Sequence, residues 1–71
     1  MSKQYGVRNQ FAGEVIQIKT NDIMSEVVIE TGKNSYVTSV MTTDSLKAMK
    51  IKEGDLVKAL VKAVNVVLVK E

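Results

Sequence analysis

The stretch from Tyr36 to Val64 restricts the fold more than any other part of this chain. It opens with an apolar run that ends in hydroxyls, Tyr36-Val37-Thr38-Ser39-Val40-Met41-Thr42-Thr43. A short amphipathic segment, Asp44 to Lys50, follows, then a turn at Gly54. A second apolar run closes it, Leu56 to Val64, with Lys62 set among aliphatic residues. The pattern predicts strand, short helix, turn and strand, with both strands in one small sheet. One strand carries the neutral donors of Thr38-Ser39 and the other the cation of Lys62, next to Ala63. Such a pair suits a small anion better than a catalytic reaction.

Taken in order, residues 1–9 are polar and mixed and read as an N-terminal arm, freed by Gly6 and ending in Arg8-Asn9. A first strand is expected from Phe11 to Thr20. Gly13 within it hints at a bulge or a close backbone approach, and Phe11 is expected in the core. Asn21-Asp22 is a turn signal. In the second strand, Ile23 to Thr31, Val27 and Ile29 share one face while Glu26, Val28 and Glu30 share the other. Gly32-Lys33-Asn34 makes a hairpin loop into a third strand, Ser35 to about Met41. Thr43 is placed to cap the helix, Asp44 suits its first turn, and Leu46 and Met49 share a face. Glu53-Gly54-Asp55 turns the chain into a fourth strand, Leu56 to Ala63, with Val57, Ala59 and Val61 on one face. After a corner at Asn65, Val66 to Val69 reads as a fifth strand. The expected fold is therefore all-β with one short helix, a small OB-like five-stranded barrel in the order β-β-β-α-β-β.

A chain of 71 residues is one domain with one core. It buries only about 60% of the surface that its unfolded form exposes. Val66 to Val69 is apolar on both faces, and only one can enter a barrel, so a second subunit is the expected cover for the other. The chain has no cysteine and no histidine. That removes disulfides, cysteine- or histidine-based metal sites and the commonest general base. No serine has a visible base partner, the acidic residues lack calcium-loop spacing, and isolated glycines make no phosphate loop. The chain is not expected to be an enzyme, and no cofactor or side-chain-coordinated metal is expected. Neither a signal peptide nor a membrane span is read, which makes the cytoplasm the simplest location.

The candidate ligands each have a plainer reading. Thr38 is also a good strand former with a solvated hydroxyl. Lys62 alternates with Val61 and Ala63 as a solvent-facing strand lysine does. Arg8-Asn9 offers guanidinium and amide donors, yet sits in an ordinary polar terminus. Two rival functions remain at this point. An OB-like barrel can bind single-stranded nucleic acid, but that use favours aromatic platforms on a basic groove. Here the aromatics are Tyr5, Phe11 and Tyr36, with none in the last two strands, and net charge is only +2. The other rival is a ligand-free oligomerisation domain.

Three groups in sequence carry a family resemblance: Val7-Arg8-Asn9-Gln10-Phe11 with Gly13 and Val15, Val37-Thr38-Ser39-Val40 with Asp44-Ser45-Leu46, and Lys52-Glu53-Gly54-Asp55 with Val57 to Ala63. Across its whole length the chain resembles the molbindins, small cytoplasmic molybdate-binding proteins built from a single Mop, or TOBE-type, domain. The resemblance implies an OB-like barrel assembled as a hexamer, a trimer of dimers, with molybdate or tungstate held between subunits for storage or homeostasis. Carried over by motif, the oxyanion ligands are Arg8 with the backbone around it and Asn9, Thr38 and Ser39, and Lys62, Ala63 and the backbone of Val64. The family often has serine where this chain has Gly6, and serine or threonine in place of Val64, so two hydroxyl donors are missing here. The chemistry agrees: a tetrahedral dianion only accepts, and at about two bonds per oxygen it takes roughly seven or eight donors. One barrel this small is not expected to supply them all, which favours a site shared between subunits.

Overall fold

The computed structural model describes the backbone of residues 8–71 and side chains from Asn9 onward. Most of the expected N-terminal arm, with Gly6, lies outside the described residues. Four strands form one antiparallel sheet: β1 (Arg8–Thr20), β2 (Met24–Gly32), β3 (Ser35–Thr42) and β4 (Leu56–Lys62), in spatial order β3-β2-β1-β4. Helix α1 (Thr43–Met49) joins β3 to β4, and a 3₁₀ turn, Ala63–Asn65, follows β4.

Strand β1 is long because it serves two partners in succession. Its first half pairs with β4, from Arg8 opposite Lys62 to Glu14 opposite Leu56. Its second half pairs with β2, from Glu14 opposite Glu30 to Thr20 opposite Ser25, with an irregularity between Val15 and Gln17. Arg8 and Asn9 thus belong to the strand and not to an arm, because β4 supplies their backbone partners. Gly13 sits where β1 passes closest to β2. A Cβ there would lie 2.5 Å from the Glu30 carbonyl oxygen and from Ile29 Cγ2, so only glycine fits. The close crossing and the bulge curl the sheet.

The concave face holds the core. Val15, Val27, Ile29 and Leu46 are buried, with Ile18, Met41, Ile51, Val57 and Ala59 packed on them. Val27 and Ile29 point inward with period 2, as their alternation requires. Each such buried side chain contributes about 1.5–3 kcal/mol. Phe11 is the exception to expectation: it stays half-exposed opposite Ala59, near the open end of the sheet.

Helix α1 starts one residue earlier than the sequence suggests. Thr42, in extended conformation, is the N-cap; its Oγ1 accepts from the Ser45 N–H at 3.1 Å. Thr43, expected as the cap, is buried, and Lys50 ends the helix in the left-handed region at φ 57°. The Gly54 turn, φ 95°, is locked to β1 by Gly54 N–H to Val15 O at 2.8 Å and Val15 N–H to Asp55 O at 2.9 Å.

The fifth strand does not form in the single chain. Residues 66–71 adopt no regular element, and Val67, Leu68 and Val69 are 82–90% exposed. A strand needs a backbone partner as well as an apolar pattern. Within the single chain the run after the 3₁₀ turn joins no ladder of the sheet.

Candidate functional site

The predicted ligands fall into two groups. The first lies where β1 begins and β4 ends. Arg8 is the direct register partner of Lys62, and Asn9 that of Val61. The Asn9 side-chain amide donates to the Val61 carbonyl oxygen at 3.4 Å, which ties the two strand ends together. Lys62 is exposed, and Ala63 and Val64 follow in the 3₁₀ turn. Their N–H groups have no acceptor within that turn, since its hydrogen bond runs from Val66 N–H to Ala63 O. Val64 is 84% exposed and so is not a core residue.

The second group is on β3. Thr38 faces Val28 in register and Ser39 faces buried Val27. Adjacent strand residues point to opposite faces, so Thr38 lies on the convex face and Ser39 on the concave one. Both border a cavity of about 390 Å³ that opens between β3 and β4. Its walls include Val37, Thr38, Ser39 and Met41 on one side and Val57 to Val61 on the other, with Ile29, Met49 and Ile51 beneath. Asn9, Lys62, Ala63 and Val64 are not part of its lining.

One chain does not bring the groups together. β3 and β4 are the two edges of the sheet and share no ladder. Through the sheet they are three strand spacings apart, about 14 Å. Register parity places Lys62 on the convex face, as it does Thr38. Thr38 borders the cavity together with Lys58 and Leu60 of β4, whereas Lys62, two residues beyond Leu60, is not in its lining. Charge on that face is also divided: Lys58 and Lys62 lie on β4, and Glu14 stands directly opposite Glu30 at the far end.

A polar network was not evident from the sequence. Thr43 Oγ1 donates to Asn21 O at 2.6 Å. Ser25 Oγ is 2.7 Å from Thr43 Oγ1, and Thr20 Oγ1 is 2.7 Å from Ser25 Oγ. Since Thr43 spends its hydrogen on Asn21, Ser25 donates to Thr43. Asn21 Oδ1 also accepts from the N–H groups of Ile23 and Met24. The chain of hydroxyls fastens α1 to the β1–β2 hairpin. Its signal was a serine in the inward register with Val27 and Ile29, since a polar residue there needs a partner.

Comparison with known proteins now places the chain. The TOBE domain family matches residues 7–68. The chain belongs to that family, and within it to the molbindin type. Molybdenum-pterin-binding protein 3 of Clostridium pasteurianum is 34% identical over 61 residues, covering 86% of this chain and 90% of that protein. The apo structure of MopII from Clostridium pasteurianum superimposes with a TM-score of 0.84 at 31% identity, over 94% of this chain and all of that one. A molybdate-binding protein from Sporomusa ovata gives 0.83 at 28% identity, over 96% of this chain and all of that one.

Proposed function

We propose that this chain binds molybdate and tungstate between subunits and serves oxyanion storage or homeostasis in the cytoplasm, without catalysis. The observation that carries the reading is the register of Arg8 against Lys62. Two cations directly opposed across a ladder repel each other, and a dianion beside them removes that cost. Asn9 and the N–H groups of Ala63 and Val64 add neutral donors, and Thr38 and Ser39 supply the hydroxyls of the other group. The names of the relatives, molybdenum-pterin-binding and molybdate-binding, support the choice of ion.

The assembly is a homo-oligomer, a hexamer built as a trimer of dimers. Its support is that each chain has an exposed strand-like run and an empty place for one. Val66 to Val69 spans about 13 Å when extended, similar to the facing walls of the cavity, one of Val37, Thr38, Ser39 and Met41 and the other of Val57 to Val61. Both walls are sheet edges with free backbone groups. The run from a second copy fits between them and covers the apolar floor. Titration calorimetry with molybdate, tungstate, sulfate and phosphate tests the ligand. Binding of the first two and not the last two is expected, whereas salt-sensitive binding of single-stranded DNA with no oxyanion uptake would replace this reading.

A further inference from the structure

We infer that the Met49 thioether is a site of oxidation by peroxide, open in the free chain and covered in the assembly, and that its sulfoxide bars a second copy's Val66–Val69 from the cavity between β3 and β4. The inference rests on the proposed assembly for the occupant of that cavity.

The sequence narrows the targets. The chain has no cysteine, tryptophan or histidine, so its thioethers are the side chains that a two-electron oxidant meets first. Of the four methionines, Met24, Met41 and Met49 lie among the described residues.

The fold separates these three. Met24 is 41% exposed and lines a different cavity, of about 300 Å³, with Lys19 and Glu26. Met41 is partly buried and packs on the core. Met49 is the last residue of α1, is 55% exposed and borders the cavity of about 390 Å³. Leu46, one turn earlier on the same helix face, is buried in the core and anchors that face. An unbranched thioether adapts to the apolar surface it meets, which suits a residue that receives a segment from another chain.

The chemistry balances with peroxide as co-reactant. A sulfur lone pair attacks one peroxide oxygen and the O–O bond breaks. The other oxygen leaves as hydroxide and takes the proton of the first, forming water. The sulfur, oxidised by two electrons, keeps its oxygen as a sulfoxide. That oxygen is a polar acceptor on a floor shared with Ile29 and Ile51. The incoming run, Val66 to Val69, brings no side-chain donor to it, and burying an unpaired acceptor is costly. Conversely, a seated run shields the sulfur, so assembly protects Met49.

Peroxide treatment tests both halves. Wild-type protein and a Leu68→Glu chain, which is expected to stay unassembled, are exposed to hydrogen peroxide, and oxidation at each methionine is followed by peptide mass mapping. Met49 is expected to oxidise about tenfold faster, or more, in the Leu68→Glu chain, since exposure governs susceptibility. Equal rates at Met49 in assembled wild type and unassembled variant overturn the inference. For the consequence, a Met24→Leu/Met41→Leu chain is oxidised while unfolded, refolded and sized by light scattering. A smaller particle than that of the same chain kept reduced is expected, with native circular dichroism, and methionine sulfoxide reductases should restore the larger one. An oxidised chain that assembles in full overturns the inference. Adding Met49→Leu, which nearly conserves volume, should abolish the effect of peroxide; a particle that still shrinks places the effect elsewhere and overturns it too. If untreated wild-type protein has the mass of one chain, the proposed assembly itself falls. An assembled wild type indifferent to Met49 oxidation removes this inference alone.

Discussion

Arg8 and Lys62 stand directly opposite each other where β1 begins and β4 ends. Strand β1, thirteen residues long, runs from this pair to the β1–β2 turn, and the core lies between. The cations therefore sit at an open end of the sheet. Two opposed cations in register are unfavourable, and the proposed dianion would offset that repulsion.

Lys62→Ala should separate binding from folding. Loss of one member of a charge pair that becomes buried in the complex lowers affinity by about 2–5 kcal/mol. The apo protein should be as stable as wild type or slightly more so, since a directly opposed like-charge pair is unfavourable by about 0.2–1 kcal/mol. Calorimetry and a thermal melt read both. Unchanged molybdate affinity returns Lys62 to the role of a solvated strand lysine.

Val64→Thr should tighten binding. Val64 is exposed in the 3₁₀ turn after Lys62, so threonine there buries no unpaired hydroxyl in the single chain. A hydrogen bond to a charged group contributes about 1.5–3 kcal/mol. The lower figure is about tenfold in affinity. The melting temperature of the apo protein should not fall. Equal affinity in the two proteins places the anion away from this side chain.

Ser25→Ala should do the reverse. It breaks the hydroxyl chain from Thr20 to Thr43 inside the fold, far in sequence from the proposed ligands. Leaving a buried partner unsatisfied costs about 1–3 kcal/mol, and each kcal/mol lowers the melting temperature of a domain this size by roughly 4–8 °C. Molybdate affinity, measured well below the melt, should not move. A variant as stable as wild type means the network is dispensable.

Much of the fold was legible because one face of each strand is buried. Val27 with Ile29, and Val57 with Ala59, announce the concave side by period alone. Gly13 announced a close crossing and marks one. Val66 to Val69 forms no strand in the single chain, because an apolar pattern records what a segment can bury and not where its backbone partner lies. Thr42 and Thr43 are both good caps in sequence, and the inward register of Thr43, which takes it into the Ser25 network, left Thr42 at the helix start. The pairing of Arg8 with Lys62 depends on register across 54 positions of chain, which local pattern does not encode. The opposite faces of Thr38 and Ser39 were legible by alternation, and they mean that the two hydroxyls of one chain point away from each other.

Leu68→Glu should dissolve the assembly. Leu68 is exposed in the single chain and, on this account, is covered by a neighbour. A buried unpaired carboxylate is costly, so light scattering should show a smaller particle than wild type. The same particle size for both proteins would mean that residues 66–69 are not at an interface.

The central claim is that this chain selects a large tetrahedral dianion. Calorimetry of the wild-type protein with molybdate and with sulfate, at equal ionic strength, tests it most directly. The two ions share charge and shape and differ in size, so fixed donors spaced for molybdate reach sulfate poorly. The account predicts saturable molybdate binding that a hundredfold excess of sulfate does not displace, on the order of 2.7 kcal/mol or more in preference. Equal affinity for the two ions, or uptake of neither, would contradict it.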